Sequence, residues 1–588
     1  MTLSPEEAPA APFLTRRAML LPGLAVVFGV LLTLYLNRST WFYLDDWDFV
    51  VLRADWSQGA LLGPQNLNWV MTTDIVYTLL GRVFGVSTYV PWRIVAAIAL
   101  GVVGWQIGRY AAPRVGRVIA AVAVLAVFIT PGWEISLWPF QMGQLLALAA
   151  GLGAILLVDH RSERTWRREL ALVALLVFAV TSSSAGIPLL GMFIVDRLLR
   201  PGRRRDVLVA LPALVLYAWW NQKWGSLSPN LPASNLESFL AATRQAIEVA
   251  MAALQSMLGL QDHTAIGGFL SVVALLGLVV VATWRLLTGH APDRARILAI
   301  VAGLAAYWVL LAWGRSSVPG YETSPRYLFF SQVLLVLLVV ELVGRTAAER
   351  LAEPARERRV AVGLGVLATL GLAVGMIGNL SSLRSGSVYL RNEGQHQEAQ
   401  YAALSLLPQP TRAAAPLYRG AHDYVLPMAA GAYFDHPGPP KMPVRSEAEV
   451  RDLPAATRGF VDRYLLLLRS VEVPAGQPRG VPAEPRPELV AAPGTAVKRV
   501  GRSCVAVNGP RAAYPLNLAT GASVEIENTG TEPVELRGRR YADTLTGSVP
   551  VAIGPGAVRR LTNPPDLGKA PWTFEITASR AHLCSTEG

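Results

Sequence analysis

Ala18-Met-Leu-Leu-Pro-Gly-Leu-Ala-Val-Val-Phe-Gly-Val-Leu-Leu-Thr-Leu-Tyr-Leu36 is followed, four residues later, by Trp41-Phe-Tyr-Leu-Asp-Asp-Trp-Asp-Phe49. The first stretch carries no charge and comes close to the roughly 20 residues that a helix needs to cross a hydrocarbon core of about 30 Å. It follows Arg16-Arg17 but ends in Tyr35-Leu-Asn-Arg-Ser-Thr without a small-x-small cleavage pattern, so it reads as a retained helix rather than a secretory leader. The second stretch sets the adjacent carboxylates Asp45 and Asp46 among Trp41, Phe42, Tyr43, Trp47 and Phe49, directly beyond that helix.

The same apolar signal recurs along the chain. Further runs lie near residues 91 to 108, 117 to 131, 143 to 158, 170 to 184, 185 to 199, 206 to 220, 265 to 284, 297 to 313, 327 to 344 and 360 to 379, which makes eleven. With 588 residues, 52% hydrophobic and 16% charged, the composition excludes an ordinary soluble domain. The expected fold is a polytopic α-helical membrane protein of about eleven spans. The runs starting at 117, 170 and 185 are short for a full crossing, so they are tilted, kinked or re-entrant; a re-entrant hairpin over 170 to 199 keeps the topological parity.

Arginine fixes the expected orientation. It gathers at Arg16/Arg17, Arg109/Arg114/Arg117, Arg161 to Arg168, Arg197 to Arg205, Arg285/Arg294/Arg296 and Arg345 to Arg359, and is sparse in the alternate connections. Because Lys and Arg accumulate on the cytoplasmic side, residues 1–17 are expected in the cytoplasm of a bacterium, and an odd number of crossings places the chain after about residue 380 outside its plasma membrane. The net charge of +12 is largely this bias, so no nucleic-acid partner is expected.

Four regions follow: the cytoplasmic residues 1–17, a transmembrane module over 18–380 with a long first outer loop at 37–90, an extracytoplasmic mixed α/β region over 381–498, and a β-sandwich over 499–588. The stretch from Leu236 to Leu258 has helical apolar spacing at Phe239, Leu240, Ile247, Ala250, Met251 and Leu254, which predicts an amphipathic helix at the outer interface. Short β-like runs begin at Cys504, Ser523, Pro533, Val549, Ala557 and Trp572, separated by turn clusters such as Asn528-Thr-Gly-Thr. Cys504 and Cys584, the two cysteines, fall in this outer region, where an oxidising compartment permits one disulfide stapling the first and last runs.

The candidate chemistry lies in the outer loops. A carboxylate among aromatic rings holds a proton more tightly and suits a general base, and two neighbours split their titration. The alternative for Asp45 or Asp46 is capping of a helix through Val50-Val51-Leu52. Arg326 in Ser324-Pro-Arg-Tyr-Leu, Arg93 in Pro91-Trp-Arg and, more weakly, Arg315 have the planar fork that grips phosphate, or they anchor helix ends at the interface. Glu134, between Trp133 and Trp138, binds acceptor or metal, with both rings stacking on sugar or belonging to an interfacial belt. Asp48 and Asp74 are candidate partners of the same kind. Trp47, Trp69, Asn68 and Asn66 offer stacking or polar contacts to sugar, against a role in loop capping for the asparagines. His422-Asp423-Tyr424 and Asp435-His436 lack the companions of a metal or hydrolase site. No phosphate-cradling Gly-x-x-x-x-Gly-Lys or Gly-x-Gly-x-x-Gly loop is present.

An acid pair soon after the first helix, a long first outer loop, a polytopic bundle and an outer β-rich end together resemble the GT-C-type membrane glycosyltransferases, including the cell-wall arabinosyltransferases of actinobacteria. The resemblance implies transfer of a sugar from a polyprenyl-phosphate donor to an extracytoplasmic cell-envelope glycan or lipid, with inversion. It implies a catalytic Asp at Asp45 or Asp46, a second acid at Glu134, and a carbohydrate-binding outer domain. It leaves Mg²⁺ or Mn²⁺ optional, with oxygens available from Asp45, Asp46 and Glu134. The rival classes are a lipid or glycan flippase and a non-catalytic envelope scaffold. Transporters place ionisable groups mid-span, and these runs are almost free of charge except at their ends.

Overall fold

The computed structural model describes residues 18–53, 56–159, 165–228, 236–260, 265–288, 291–315, 321–344, 355–407, 416–419, 424–429, 444–474, 487–491, 495–519, 521–563 and 572–586. His422, Asp423, Asp435 and His436 lie outside these residues. Two compact units form: one from residues up to Thr40 and from Asp48 to Leu390, the other from Trp41–Trp47 and Arg391–Gly588.

The first unit is helical. Its elements are α1 (Leu20–Leu36), α2 (Gln58–Leu62), α3 (Met71–Phe84), α4 (Val90–Val115), α5 (Arg117–Phe128), α6 (Trp133–Leu137), α7 (Met142–Asp159), α8 (Trp166–Ser182), α9 (Gly186–Leu199), α10 (Leu211–Lys223), α11 (Leu236–Met257), α12 (Ala265–Thr288), α13 (Ala291–Arg315) and α14 (Pro325–Val343). The helix α15 (Ala355–Ser405) begins in this unit. Each of the eleven apolar runs falls in or largely within a helix. Among the described residues, six helical segments are long and apolar enough to cross a membrane: Val90–Val115, Pro139–Asp159, Gly267–Thr288, Arg294–Arg315, Pro325–Val343 and Gly365–Ser405. α1 and α5 are apolar but shorter. Bulky side chains face outward from α1 (Leu24, Val27, Phe28, Leu31), α12 (Phe269, Leu276, Val279, Val280) and α15 (Leu367, Leu370, Val374, Ile377). A continuous apolar exterior of this kind suits hydrocarbon rather than water.

Inside the unit, small residues let helices approach. A Cβ on Gly29 of α1 would stand 2.2 Å from the Phe128 ring of α5, so that crossing depends on glycine. The most enclosed helix is α14, buried almost without interruption from Tyr327 to Leu342. Its one mid-helix amide, Gln332, is satisfied at both ends, accepting from Thr130 Oγ1 (2.7 Å) and donating to the Ala126 carbonyl (2.8 Å). The amphipathic helix expected from Leu236 forms as α11, and only part of the expected face is packed, with Ala250 and Leu254 buried. Ala242, Ala246, Val249 and Ala253 are buried, whereas Phe239, Leu240 and Ile247 are exposed. Alanines permit close helix contact, and the larger side chains are left on the outside.

One end of the helical unit is closed by ion pairs. Arg114 of α4 pairs with Asp159 at the end of α7 (2.9 Å) and with Glu341 of α14 (2.8 Å). Arg296 of α13 pairs with Asp159 and with Asp196 of α9 (3.0 Å), and Arg200 reaches Asp196 (3.1 Å). Tyr110 donates to Glu341, and Arg285 of α12 donates to the Gly344 carbonyl at 2.6 Å. The arginines used above as orientation markers are thus held by acids that the sequence reading had not paired with them. The segment 170 to 199 is a hairpin of α8 and α9, with Asp196 in this cluster. Its turn lies at the other end, where Ser184 donates to the Leu67 carbonyl at 3.1 Å.

The second unit carries α16 (Glu447–Arg451), α17 (Ala455–Arg469) and strands β1 (Pro416–Arg419), β2 (Tyr424–Ala429), β3 (Ser470–Val473), β4 (Glu488–Leu489), β5 (Ala496–Val500), β6 (Cys504–Asn517), β7 (Ser523–Asn528), β8 (Val534–Arg539), β9 (Val551–Ile553), β10 (Val558–Thr562) and β11 (Thr573–Thr586). β1 and β2 form a separate antiparallel pair. The other nine strands form one antiparallel sheet, in the order β3-β10-β7-β11-β6-β4, with β5 on β6 and β8 between β11 and β9. This differs from the expected two-sheet sandwich. β6 and β11 are each 14 residues long, and β11 changes partner along its length: Thr573–Thr577 pairs with β8 and Ala581–Thr586 with β7, across a register shift at Ala578/Arg580. Long strands that run through both halves keep them in one hydrogen-bonded sheet. Cys504 and Cys584 sit opposite each other on β6 and β11 and are disulfide-bonded. On α17, Asp462 is fully buried and accepts the backbone N–H groups of Arg540, Tyr541 and Ala542 at 2.8 to 3.0 Å, fixing the helix to the loop after β8. Burial pushes this carboxyl up to about 6, against the pull of the three donors.

Candidate functional site

The residues 37–90 fold into elements of their own. A π-turn runs over Asp48–Leu52, and beyond it Arg53 grips Asp74 with two bonds of 2.9 Å while also donating to the carbonyls of Ala60 and Gly63. One guanidinium thereby closes a loop of about twenty residues. Asp74 is 1% exposed, and its burial pushes the carboxyl up to about 7 against the lowering effect of Arg53. Its carboxylate is enclosed with Arg53.

Next comes a tight reversal. Gln65 and Asn68 exchange backbone hydrogen bonds of 3.0 and 2.9 Å, with Asn66 at φ 49° and Leu67 at φ 72°. Two left-handed residues in succession are the geometry of a two-residue hairpin turn, and a leucine there is strained. Neighbours hold the turn in place. Arg315 donates to the Asn66 carbonyl (2.9 Å), Ser184 to that of Leu67, and Gln65 reaches the Asp48 carboxylate (3.3 Å). Asn68 is turned inward, its amide bonded to the Asn66 carbonyl at 3.1 Å, as a loop-capping asparagine is.

The tryptophans expected to stack on sugar are mostly enclosed. Trp69 lies flat on Trp220, with ring centres 5.2 Å apart and planes 1° from parallel, and is 2% exposed. Trp138 is 4% exposed beside Phe140, and Trp133 leans on Tyr389. These rings pack against protein. Arg93, expected at phosphate or as an anchor, donates to the Asn37 carbonyl at the C-terminal end of α1 (2.8 Å), which is the anchoring arrangement.

Arg315, Arg326 and Glu134 come together. Arg315 ends α13 and Arg326 begins α14, and both guanidiniums stand over the ring of Tyr327, at 5.9 and 5.2 Å from its centre. An aromatic face stabilises a nearby cation, and here one face serves two. Glu134, in the first turn of α6, approaches the Arg326 Nε at 3.4 Å, with side-chain exposures of 17% and 33%. The position of α6 depends on Gly132, where a Cβ would stand 2.5 Å from that of Phe329. Connected contacts therefore run from Asp48 through Gln65, the Asn66-Leu67 turn, Arg315, Tyr327 and Arg326 to Glu134. Among the described residues no three His, Cys, Asp or Glu side chains form a metal-binding group.

The second unit contains Asp45 and Asp46. Both are buried, at 8% and 0% exposure. Asp46 Oδ2 accepts the N–H of Tyr43, three residues back, at 2.9 Å, and Leu44 immediately before the pair has φ 46°. Trp41, Phe42 and Trp47 pack edge to face or tilted at 5.3 to 5.5 Å, and Tyr401 joins Trp41 at 5.7 Å. Arg445 lies over Trp41 and Tyr401 and pairs with Glu398 at 2.9 Å. The aromatic setting read from the sequence is thus realised, with α15 supplying part of it. Tyr327 and Ser184 were not singled out in the sequence. Tyr327 follows Arg326 directly, and the Ser182-Ser-Ser184 run between two short apolar runs marks the α8–α9 turn.

No family model and no curated protein matches the chain. Solved structures similar to it include the archaeal oligosaccharyltransferase AglB from Archaeoglobus fulgidus, in complex with an inhibitory peptide and a dolichol-phosphate: 14% identity, TM-score 0.36, covering 66% of this chain and 58% of that one. They also include the arabinofuranosyltransferase AftD from Mycobacteria: 12% identity, TM-score 0.38, covering 96% of this chain and 58% of that one. The chain thus spans less than two thirds of the length of either.

Proposed function

We propose that this chain is a membrane glycosyltransferase of the bacterial plasma membrane that moves a sugar from a polyprenyl-phosphate donor to an extracytoplasmic cell-envelope acceptor. The observation that carries the reading is the pair of guanidiniums on Tyr327. They sit at adjoining ends of two helices long and apolar enough to lie in a bilayer, which is where a lipid-borne phosphate would arrive. The distribution of arginine supports placing this end outside.

In the proposed reaction the acceptor hydroxyl oxygen forms a bond to the anomeric carbon, and the bond from that carbon to the phosphate oxygen breaks with its electron pair left on the phosphate. Attack from the opposite face inverts the centre. The hydroxyl proton passes to the carboxylate of Asp45 or Asp46, acting as general base. The charge that grows on the leaving phosphate is met by Arg315 and Arg326. The chain's residues supply proton transfer and charge stabilisation.

The test is transfer of labelled sugar in proteoliposomes. Asp45→Asn and Asp46→Asn, each verified as folded, are expected to leave at least one variant slower by about 10²- to 10⁴-fold, the usual contribution of a general base. Normal transfer by both would remove the pair from the reaction.

A further inference from the structure

The two guanidiniums on Tyr327 are held differently. Arg315 donates to a neutral group, the Asn66 carbonyl, and among the described residues it lies in no ion pair. Arg326 faces a carboxylate, Glu134, at 3.4 Å. We propose that Glu134 is a latch: it holds Arg326 in the unloaded protein and yields it to the phosphate of the donor as negative charge develops there. The proposal rests on the reading above and names the role of one acid within it.

The argument is electrostatic. A polyprenyl-phosphate sugar is a phosphodiester with one negative charge, the same as Glu134, so in the ground state the two compete for one guanidinium on nearly equal terms. When the glycosidic bond breaks, the phosphate becomes a monoester with a second ionisable oxygen, and the balance moves toward it. Arg326 is then drawn to the phosphate more strongly in the transition state than before it. An interaction that grows along the reaction raises the rate, whereas one already complete in the ground state only tightens binding. The geometry suits such an exchange. The side chains are partly open, at 33% and 17% exposure, although the facing atoms Arg326 Nε and Glu134 Oε2 are themselves buried, and the Tyr327 ring holds the guanidinium while it changes partner. Arg315, tied to a strained turn pinned by Ser184, supplies the constant half of the phosphate site.

The test is equilibrium binding of farnesyl phosphate to the full chain in detergent, with melting temperature as the folding control. Glu134→Gln keeps the shape of the side chain and removes its charge. It is expected to bind about two- to five-fold tighter than the natural protein at low salt, the size of a partly exposed ion pair, and the gap is expected to narrow as salt rises. Arg326→Ala is expected to bind at least tenfold more weakly, and adding Glu134→Gln to it should change nothing further. In transfer assays Glu134→Gln is expected to lower KM for the donor without raising kcat. If Arg326→Ala weakens binding but Glu134→Gln leaves it unchanged or weaker, the latch is overturned while the phosphate site stands. If Arg326→Ala binds as the natural protein does, the phosphate site fails and the latch with it.

Discussion

The two ends of the helical unit use the same residue type in opposite ways. At one end Arg114, Arg200 and Arg296 share Asp159, Asp196 and Glu341 in a lattice of pairs between helix ends, and Arg296 is 1% exposed. At the other end Arg315 donates to the Asn66 carbonyl and Arg326 faces the Glu134 carboxylate, and both remain partly open. Charges shared among several acids at helix ends staple a fold, because removing any partner leaves the others uncompensated. A guanidinium that is partly open to solvent can also meet a ligand. The contrast separates arginines that build this molecule from those proposed to serve its chemistry.

The comparison breaks most visibly if both ends respond alike to mutation. Asp159→Asn, which bares Arg114 and Arg296 together, is expected to destabilise the helical unit by about 3–5 kcal/mol. Thermal melting in detergent would show a large fall or no folded protein. Arg326→Ala is expected to melt within a degree or two of the natural protein while losing transfer. Equal melting of the two variants would erase the distinction.

The outer unit sharpens the same point with an acid. Asp462 is saturated by three backbone donors, yet burial raises its carboxyl to about 6. The folded value lies above the roughly 3.9 of an unfolded aspartate, so the fold favours the protonated form. Its stabilising contribution is therefore whole below about pH 4 and lost as pH rises through about 6. Hydrogen exchange of the Arg540–Ala542 amides, corrected for its intrinsic pH dependence, should quicken across that window, by about 1–2 kcal/mol of local stability. Asp462→Asn should flatten the change. An unchanged slope in the variant would assign the effect to another group.

Much of the architecture was legible because it follows from local pattern. Eleven apolar runs became helices, and the six β-like runs became strands of one sheet. The two cysteines met because β6 and β11 are neighbours. What the sequence hid depends on tertiary choice. Periodicity marked an apolar face on α11 that ran from Phe239 and Ile247 to Ala250 and Leu254, but packing kept only the last two and added Ala242, Ala246 and Ala253, since close approach favours small side chains. Residues 499–588 suggested two sheets because the length of β6 and β11 is masked by Pro510 and Pro515. At the site, Arg326 and Glu134 are nearly 200 positions apart, and nothing local announces their pairing. Asp74 and Trp69 looked accessible because their loop is polar, yet Arg53 and Trp220 enclose them.

A lipid-borne phosphate is proposed to sit at the Tyr327 arginines. A cryo-EM structure of the full chain with a polyprenyl phosphate tests it most directly. The expected result is density for the phosphate within hydrogen-bonding distance of both Arg315 and Arg326, with Glu134 moved off the Arg326 Nε. Phosphate bound instead among Arg114, Arg200 and Arg296, with the Glu134–Arg326 contact intact, would contradict it.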